Sequence, residues 1–153
     1  MANDGETGAL PRGCTNLKLR QASRLVARHY EAHLAAAGLK ATQYSLLSYV
    51  VRLGPLRAGE LAAAMRLDAS TLSRNLQPLI DKGWVRVHPG ADARSRIVEA
   101  SEAGCALRAQ AQKAWKRAQL ALNDKLGAAR VAALHELLDE CIARLAAQEI
   151  EDD

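Results

Sequence analysis

The sequence predicts a mainly α-helical fold carrying one short β-hairpin, and three observations lead there. The 153-residue chain is 49% hydrophobic but only 3% aromatic, with no phenylalanine. Leucine and alanine must therefore fill the core, and both favour helices. Apolar residues recur at spacings of three and four through six stretches, the mark of helices with one buried face. Only W-V-R-V-H from Trp84 and R-I-V-E-A from Arg96 read as short strands.

The length suits a single domain with a sizeable core. No apolar run reaches the length of a membrane span, and the N-terminus lacks the apolar core of a signal peptide. A cytoplasmic protein with no membrane partner is the expectation. Residues 1–54 carry a net charge of +4, residues 55–96 of +3 and residues 97–153 of −3. A basic front and an acidic tail suit a protein that meets a polyanion at one end. Three cysteines without a C-x-x-C, and four histidines without ligand spacing, give no disulfide framework and no metal site. No other cofactor is expected.

Residues 1–13 read as a flexible arm, Gly-rich and polar. The first helix is expected over about 15–37. Leu19, Ala22, Val26, Tyr30 and Leu34 make its apolar stripe, and Arg20, Arg24 and Arg28 make a second row. That row reads either as a solvated face or as part of a ligand site. Gly38 ends the helix. Thr42 is the expected cap of the next, which places Tyr44, Leu47 and Val51 on one face and stops at Gly54-Pro55.

A short helix from Glu60 puts Leu61, Ala64 and Met65 on one face. Asp68 then caps another helix, its carboxylate accepting from the free amides of the first turn. Leu72, Leu76, Leu79 and Ile80 form the apolar stripe of that helix. The other face shows Ser70, Thr71, Ser73, Arg74 and Asn75, the donors and acceptors that phosphates and base edges require near a helix N-terminus. Pro78 removes an amide inside the helix, so a bend is expected. Gly83 stops the helix. In the first strand Val85 and Val87 face one way, and Trp84, Arg86 and His88 the other. Asp92, Arg94 and Arg96 occupy the connecting loop, with Asp92 expected to pair with an arginine. Two arginines on a hairpin tip suit a narrow minor groove; an ordinary solvated hairpin would look the same. Helix, turn, helix and hairpin in this order are the plan of a winged helix-turn-helix over about residues 42–100, a DNA-reading module.

Ser101 caps a long helix marked by Leu107, Ala111, Trp115, Ala118 and Leu122, and Gly127 breaks it. The last helix carries Val131, Leu134, Leu138, Cys141 and Leu145 at alternating spacings of three and four, a coiled-coil seam. The first helix, the long helix and the last helix together have more apolar face than the small head can cover. A second copy of the chain is the economical cover, with an internal three-helix bundle as the alternative.

The residues D-A-R-S-R-I-V-E-A-S-E-A-G, Asp92 to Gly104, resemble the wing signature of the MarR family. The stretch from Thr71 to Val85 is similar to the family's recognition helix and first wing strand, and Gly38 to Leu47 to its second-helix entry. The resemblance covers residues 14–153 as a single MarR-like domain. It implies a winged helix-turn-helix flanked by long N- and C-terminal dimerisation helices, at about 15–37 and 101–148. It further implies a homodimeric regulator, a repressor on a pseudo-palindromic double-stranded operator, released by a small aromatic or phenolic effector. Leu19, Val26, Val131, Leu134, Leu138, Cys141 and Leu145 would then line the dimer interface. Arg20, Tyr30 and Tyr44 would reach an effector crevice between the head and the dimer helices.

Cys14 opens the first helix, where the dipole favours a thiolate. The family's organic-peroxide-sensing branch carries a thiol near this place, so Cys14 is a redox candidate. Its bonding tyrosine would be Tyr30; a second tyrosine of that branch falls at Ala41 and is missing. Cys105 and Cys141 are expected to be buried packing groups. No Cys–His arrangement and no phosphate loop point to an enzyme. A helical interaction module without DNA remains the other alternative.

Overall fold

The computed structural model describes residues 12–92 and 94–151. The expected N-terminal arm therefore lies, apart from Arg12 and Gly13, outside the described residues. Six helices and three short strands follow in the order α1 (Thr15–Leu34), α2 (Ala41–Leu53), β1 (Leu56–Arg57), α3 (Ala58–Met65), α4 (Ala69–Asp81), β2 (Val85–Pro89), β3 (Arg96–Ala100), α5 (Glu102–Leu126) and α6 (Ala128–Glu151). The sheet is antiparallel in the order β1-β3-β2, with Leu56 opposite Val98 and Val87 opposite the same residue.

The expected helices are present, with local differences. The first ends at Leu34, and a 3-10 turn completes it to Ala37. The second starts two residues early: Lys40 is its N-cap, and its amide donates to Gln43 Oε1 at 3.0 Å, so Thr42 is not the cap. Strand β1 was not expected; two residues are too few to show alternation. Pro78 leaves α4 unbroken and lies on its exposed side, where the carbonyl one turn back can turn to water.

Two apolar clusters build the core. The first joins Leu46, Leu47, Val50, Leu61, Leu72, Leu76, Leu79, Val85 and Val98, the inside of the head. Leu46 and Val50 replace Val51 as the deepest part of α2, and Ala62 rather than Ala64 is buried on α3. The second cluster joins Leu34, Leu39, Tyr44, Ala111 and Ala114, where α1 and α2 meet α5. Trp84 and Leu107 pack against both clusters. Trp84 thus sits at the joint between head and helices, not on a free strand face, because it precedes β2 in the chain reversal after Gly83.

That reversal is closely built. Gly83 adopts φ +72°, and the Trp84 amide donates to Leu79 O at 2.9 Å. The left-handed φ closes the last turn of α4, as glycine does after a helix end. Ser101 then locks α5 onto it. Its hydroxyl donates to Gly83 O at 2.6 Å and accepts from the Gly104 amide at 3.0 Å, while its own amide donates to Trp84 O at 3.0 Å. A Cβ on Gly104 would lie 2.0 Å from Trp84 O, so only glycine fits there.

Candidate nucleic-acid interface

Asp68 organises the start of α4. One carboxylate oxygen, Oδ1, accepts from the Thr71 amide at 2.7 Å and from the Ser70 hydroxyl at 2.7 Å. The other, Oδ2, accepts from the Thr71 hydroxyl at 2.6 Å. These bonds, with the Thr71 hydroxyl first and the Ser70 hydroxyl next, hold the carboxyl well below the usual carboxylate range. The fully exposed carboxylate is therefore charged at neutral pH.

The helix turns Leu72, Leu76 and Leu79 inward and leaves Ser70, Ser73, Arg74, Asn75, Gln77 and Pro78 exposed. Ser70, Ser73, Arg74, Gln77 and Pro78 border one shallow depression on this outer face. Gln77 is an addition to the expected set. Helical spacing places it beside Arg74, and its Nε2 donates to Asp81 Oδ1 at 2.7 Å. Thr71 is half-buried and committed to the cap. Asn75 points elsewhere, into a crevice on the α1–α2 side.

The wing loop is stiffened by backbone contacts. Asp92 Oδ1 accepts from the amides of Ser95 at 2.6 Å and Arg94 at 3.1 Å. The expected Asp92–arginine pair is not made: the short loop turns its own amides onto the carboxylate first. The Ser95 contacts hold Asp92 below the usual carboxylate range, with Arg57 a minor contributor. Arg94 is exposed at the tip, and Arg96 is exposed at the first position of β3 opposite Pro89. Among the described residues Arg144 pairs with Glu140, and His88 Nε2 lies 3.7 Å from Glu99 Oε1; neither contact engages Arg74, Arg94 or Arg96. Arg96 also borders, with Ser73 and Gln77, a cavity of about 260 Å³ between α4 and the sheet.

A second cavity, about 370 Å³, opens between the head and the long helices. Tyr30, Tyr44 and Trp115 line it, together with Val26, Met65 and Asn75. Tyr44 and Trp115 are stacked, with ring centroids 6.2 Å apart and planes 21° from parallel. The Tyr30 hydroxyl donates to Gln119 Oε1, and burial raises its pKa. Arg20 lies outside this crevice, exposed on the solvent side of α1.

Cys14 is the N-cap residue of α1 and is exposed. Tyr30 lies sixteen residues further along, roughly 24 Å at the helical rise. No hydrogen bond between the two can form within one chain. Cys105 and Cys141 are exposed as well, contrary to the expectation of buried packing groups. They sit on parts of α5 and α6 that no other described element covers.

Of the ten exposed large apolar side chains among the described residues, nine lie on α1, α5 and α6, Leu17, Leu25, Leu120, Leu137 and Leu145 being the most exposed. Of the expected interface set, Val131 is buried within the chain, Val26 and Leu138 are half-buried, and Leu19, Leu134, Cys141 and Leu145 are exposed. No described helix is long and apolar enough to cross a membrane.

Comparison with known proteins agrees with this architecture. The MarR family profile matches residues 37–95. The uncharacterized HTH-type transcriptional regulator YwoH of Bacillus subtilis is 30% identical over 81 residues, 53% of this chain; the match spans 59% of the length of YwoH. The M. tuberculosis transcriptional regulator MosR, solved in complex with DNA, is 30% identical, with a TM-score of 0.69 over 84% of this chain and 98% of MosR. A mutant MarR from E. coli, solved with operator DNA, is 25% identical, with a TM-score of 0.74 over 82% of this chain and 91% of that one. The capped polar helix, the wing and the relatives agree, and the chain belongs to the MarR family of winged helix-turn-helix transcriptional regulators.

Proposed function

We propose that this protein is a homodimeric repressor that binds a pseudo-palindromic operator through α4 and the wing. The observation that carries the reading is the outer face of α4. There Arg74 stands free of any ion pair among the described residues, between Ser70 and Gln77, on the same head as the exposed wing arginines Arg94 and Arg96. Arg74 has the fork geometry for a guanine edge. Arg94 and Arg96 suit phosphates or the minor groove. MosR and MarR were each solved with DNA, which supports the same role here.

Dimerisation rests on the uncovered leucines of α1, α5 and α6, a concentration of apolar surface that marks an interaction site. A twofold pair would place two heads about one DNA turn apart, roughly 34–36 Å. The protein would act in the cytoplasm, where its operator lies.

A small aromatic or phenolic effector fits the crevice of Tyr30, Tyr44 and Trp115, whose walls are mostly apolar with a few polar groups. Asn75 of α4 lines the same crevice, so a ligand there would press on the reading helix directly. Arg20 is left out of this effector site. The test is retention on duplex DNA at rising salt. A protein making six to ten phosphate contacts loses affinity about 10³–10⁵-fold between 50 and 200 mM salt. Weak, salt-insensitive retention on every duplex would reject the reading.

A further inference from the structure

The carboxylate of Asp68 holds the protons of the two hydroxyls at the start of the reading helix. An ionised carboxylate has no proton to give, so each short contact must be donated by the hydroxyl. The contacts of 2.7 Å from Ser70 and 2.6 Å from Thr71 have the length of charge-assisted bonds. Ser70 is exposed on the outer face, one helical turn before Arg74. Its donor is therefore spent inside the protein, and only lone pairs face outward.

We propose that Asp68 is a specificity-determining residue, which fixes Ser70 as a pure hydrogen-bond acceptor toward DNA. This rests on the proposal that α4 reads DNA. In the major groove the donors are the amino groups of cytosine N4 and adenine N6, and the acceptors are guanine N7 and O6, adenine N7 and thymine O4. Ser70 accordingly selects an amino-bearing base at its position, while Arg74 selects the paired acceptors of guanine at a neighbouring one. A serine free to rotate reads either kind of edge. Asp68 removes that ambiguity without touching the DNA.

The test uses binding and sequencing of a randomised duplex library by the full-length protein and four variants. The wild type should show an amino-over-keto preference of about 2- to 12-fold at one position per half-site, the range of a single net hydrogen bond. Ser70→Ala should abolish it. Asp68→Ser keeps an N-cap oxygen for the Thr71 amide but has no carboxylate to hold the hydroxyls; it should erase or invert the preference. In a Ser70→Ala background Asp68→Ser should change that preference no further, the signature of a coupled pair. Asp68→Asn retains one oxygen for Ser70; it should tighten binding to all sequences by removing a negative charge while keeping the preference. Thermal melts show that each variant is folded. A preference that Ser70→Ala abolishes but Asp68→Ser leaves intact overturns the inference, as does a wild type that binds its operator without any preference traceable to Ser70. A wild type that selects no duplex at all overturns the DNA-reading proposal beneath it.

Discussion

The hydroxyl of Ser101 donates to the carbonyl of Gly83 at 2.6 Å, joining the start of α5 to the end of α4 across eighteen residues of chain. Ser101 is nearly buried, and it is also the N-cap of α5. Ser101→Ala removes a cap and leaves the Gly83 carbonyl without its hydroxyl donor. The expected loss is about 1–3 kcal/mol in urea unfolding. A loss below about 0.5 kcal/mol would show that water replaces the hydroxyl without penalty.

Gly104→Ala should be damaging for a different reason. The new methyl would meet the Trp84 carbonyl at 2.0 Å, and backbone must move. A shift of α5 away from β2 should lower stability by about 1–3 kcal/mol, although alanine is the better helix former. Calorimetry of the variant checks it; a raised melting temperature would contradict the close approach.

Much of this joint was legible in the sequence, and the reasons are local. Asp68, Gly83, Ser101 and Gly127 cap or stop helices within a few residues of themselves, so caps and stops can be read from spacing; the bond from Ser101 back to Gly83, eighteen residues away, cannot. Trp84 was read as a strand residue because alternation says nothing about a chain reversal packed between two clusters. Arg20 sits on α1 with Tyr30, but the crevice begins at Ser23, about one turn further along the helix, and tertiary packing alone sets that limit. The spending of the Ser70 and Thr71 donors on Asp68 was also hidden: a cap predicts the amide bond, not the hydroxyl bonds. The exposure of Cys105 and Cys141 depends on what covers α5 and α6, which periodicity along one helix does not contain.

Replacing Leu134 by Glu should yield a folded but monomeric chain. Leu134 is 43% exposed in the chain, so the substitution spares the head and places a charge on the proposed seam. Sedimentation should show the monomer, while circular dichroism shows unchanged helix content. A dimer that survives the change would move the interface away from this part of α6.

Arg74→Ala and Arg94→Ala should fail in distinct ways. Loss of Arg74 should relax the base preference at one position per half-site, with about 1–3 kcal/mol of discrimination lost if its contact is bidentate. Loss of Arg94 should weaken binding to many sequences and flatten the salt dependence by about one unit of log–log slope per phosphate contact. Both side chains are exposed, so melting temperatures should stay close to wild type. Binding isotherms at several salt concentrations separate the two.

The acid side of the stability profile should carry the marks of Asp68 and Asp92. Both carboxyls are held below their ordinary values by hydrogen bonds of the folded state. A depressed folded pKa stabilises the fold above the unfolded value of about 3.9, and that stability is lost as pH falls toward the folded value. Unfolding free energy should thus be flat in these two groups near neutrality and fall below about pH 4. Asp68→Asn should shallow the acid slope. An acid limb unchanged in Asp68→Asn would show that its cap bonds also persist in the unfolded chain.

The α5 helix runs unbroken for 25 residues from the Ser101 clamp, roughly 37 Å at the helical rise. It is a stiff rod, clamped at its start and bonded to α1 further along, where His29 Nε2 meets Ala118 O at 2.8 Å, so that α1 moves with it. A tilt of about 5° at the clamp would sweep the far end through about 3 Å at that length. Packing adjustments too small to disturb the core around Trp84 are thereby enlarged into displacements of the size of a side chain. Leverage of this kind makes the length of α5 as consequential as its sequence, and inserting one helical turn into it would change the stroke without altering a single contact at the hinge.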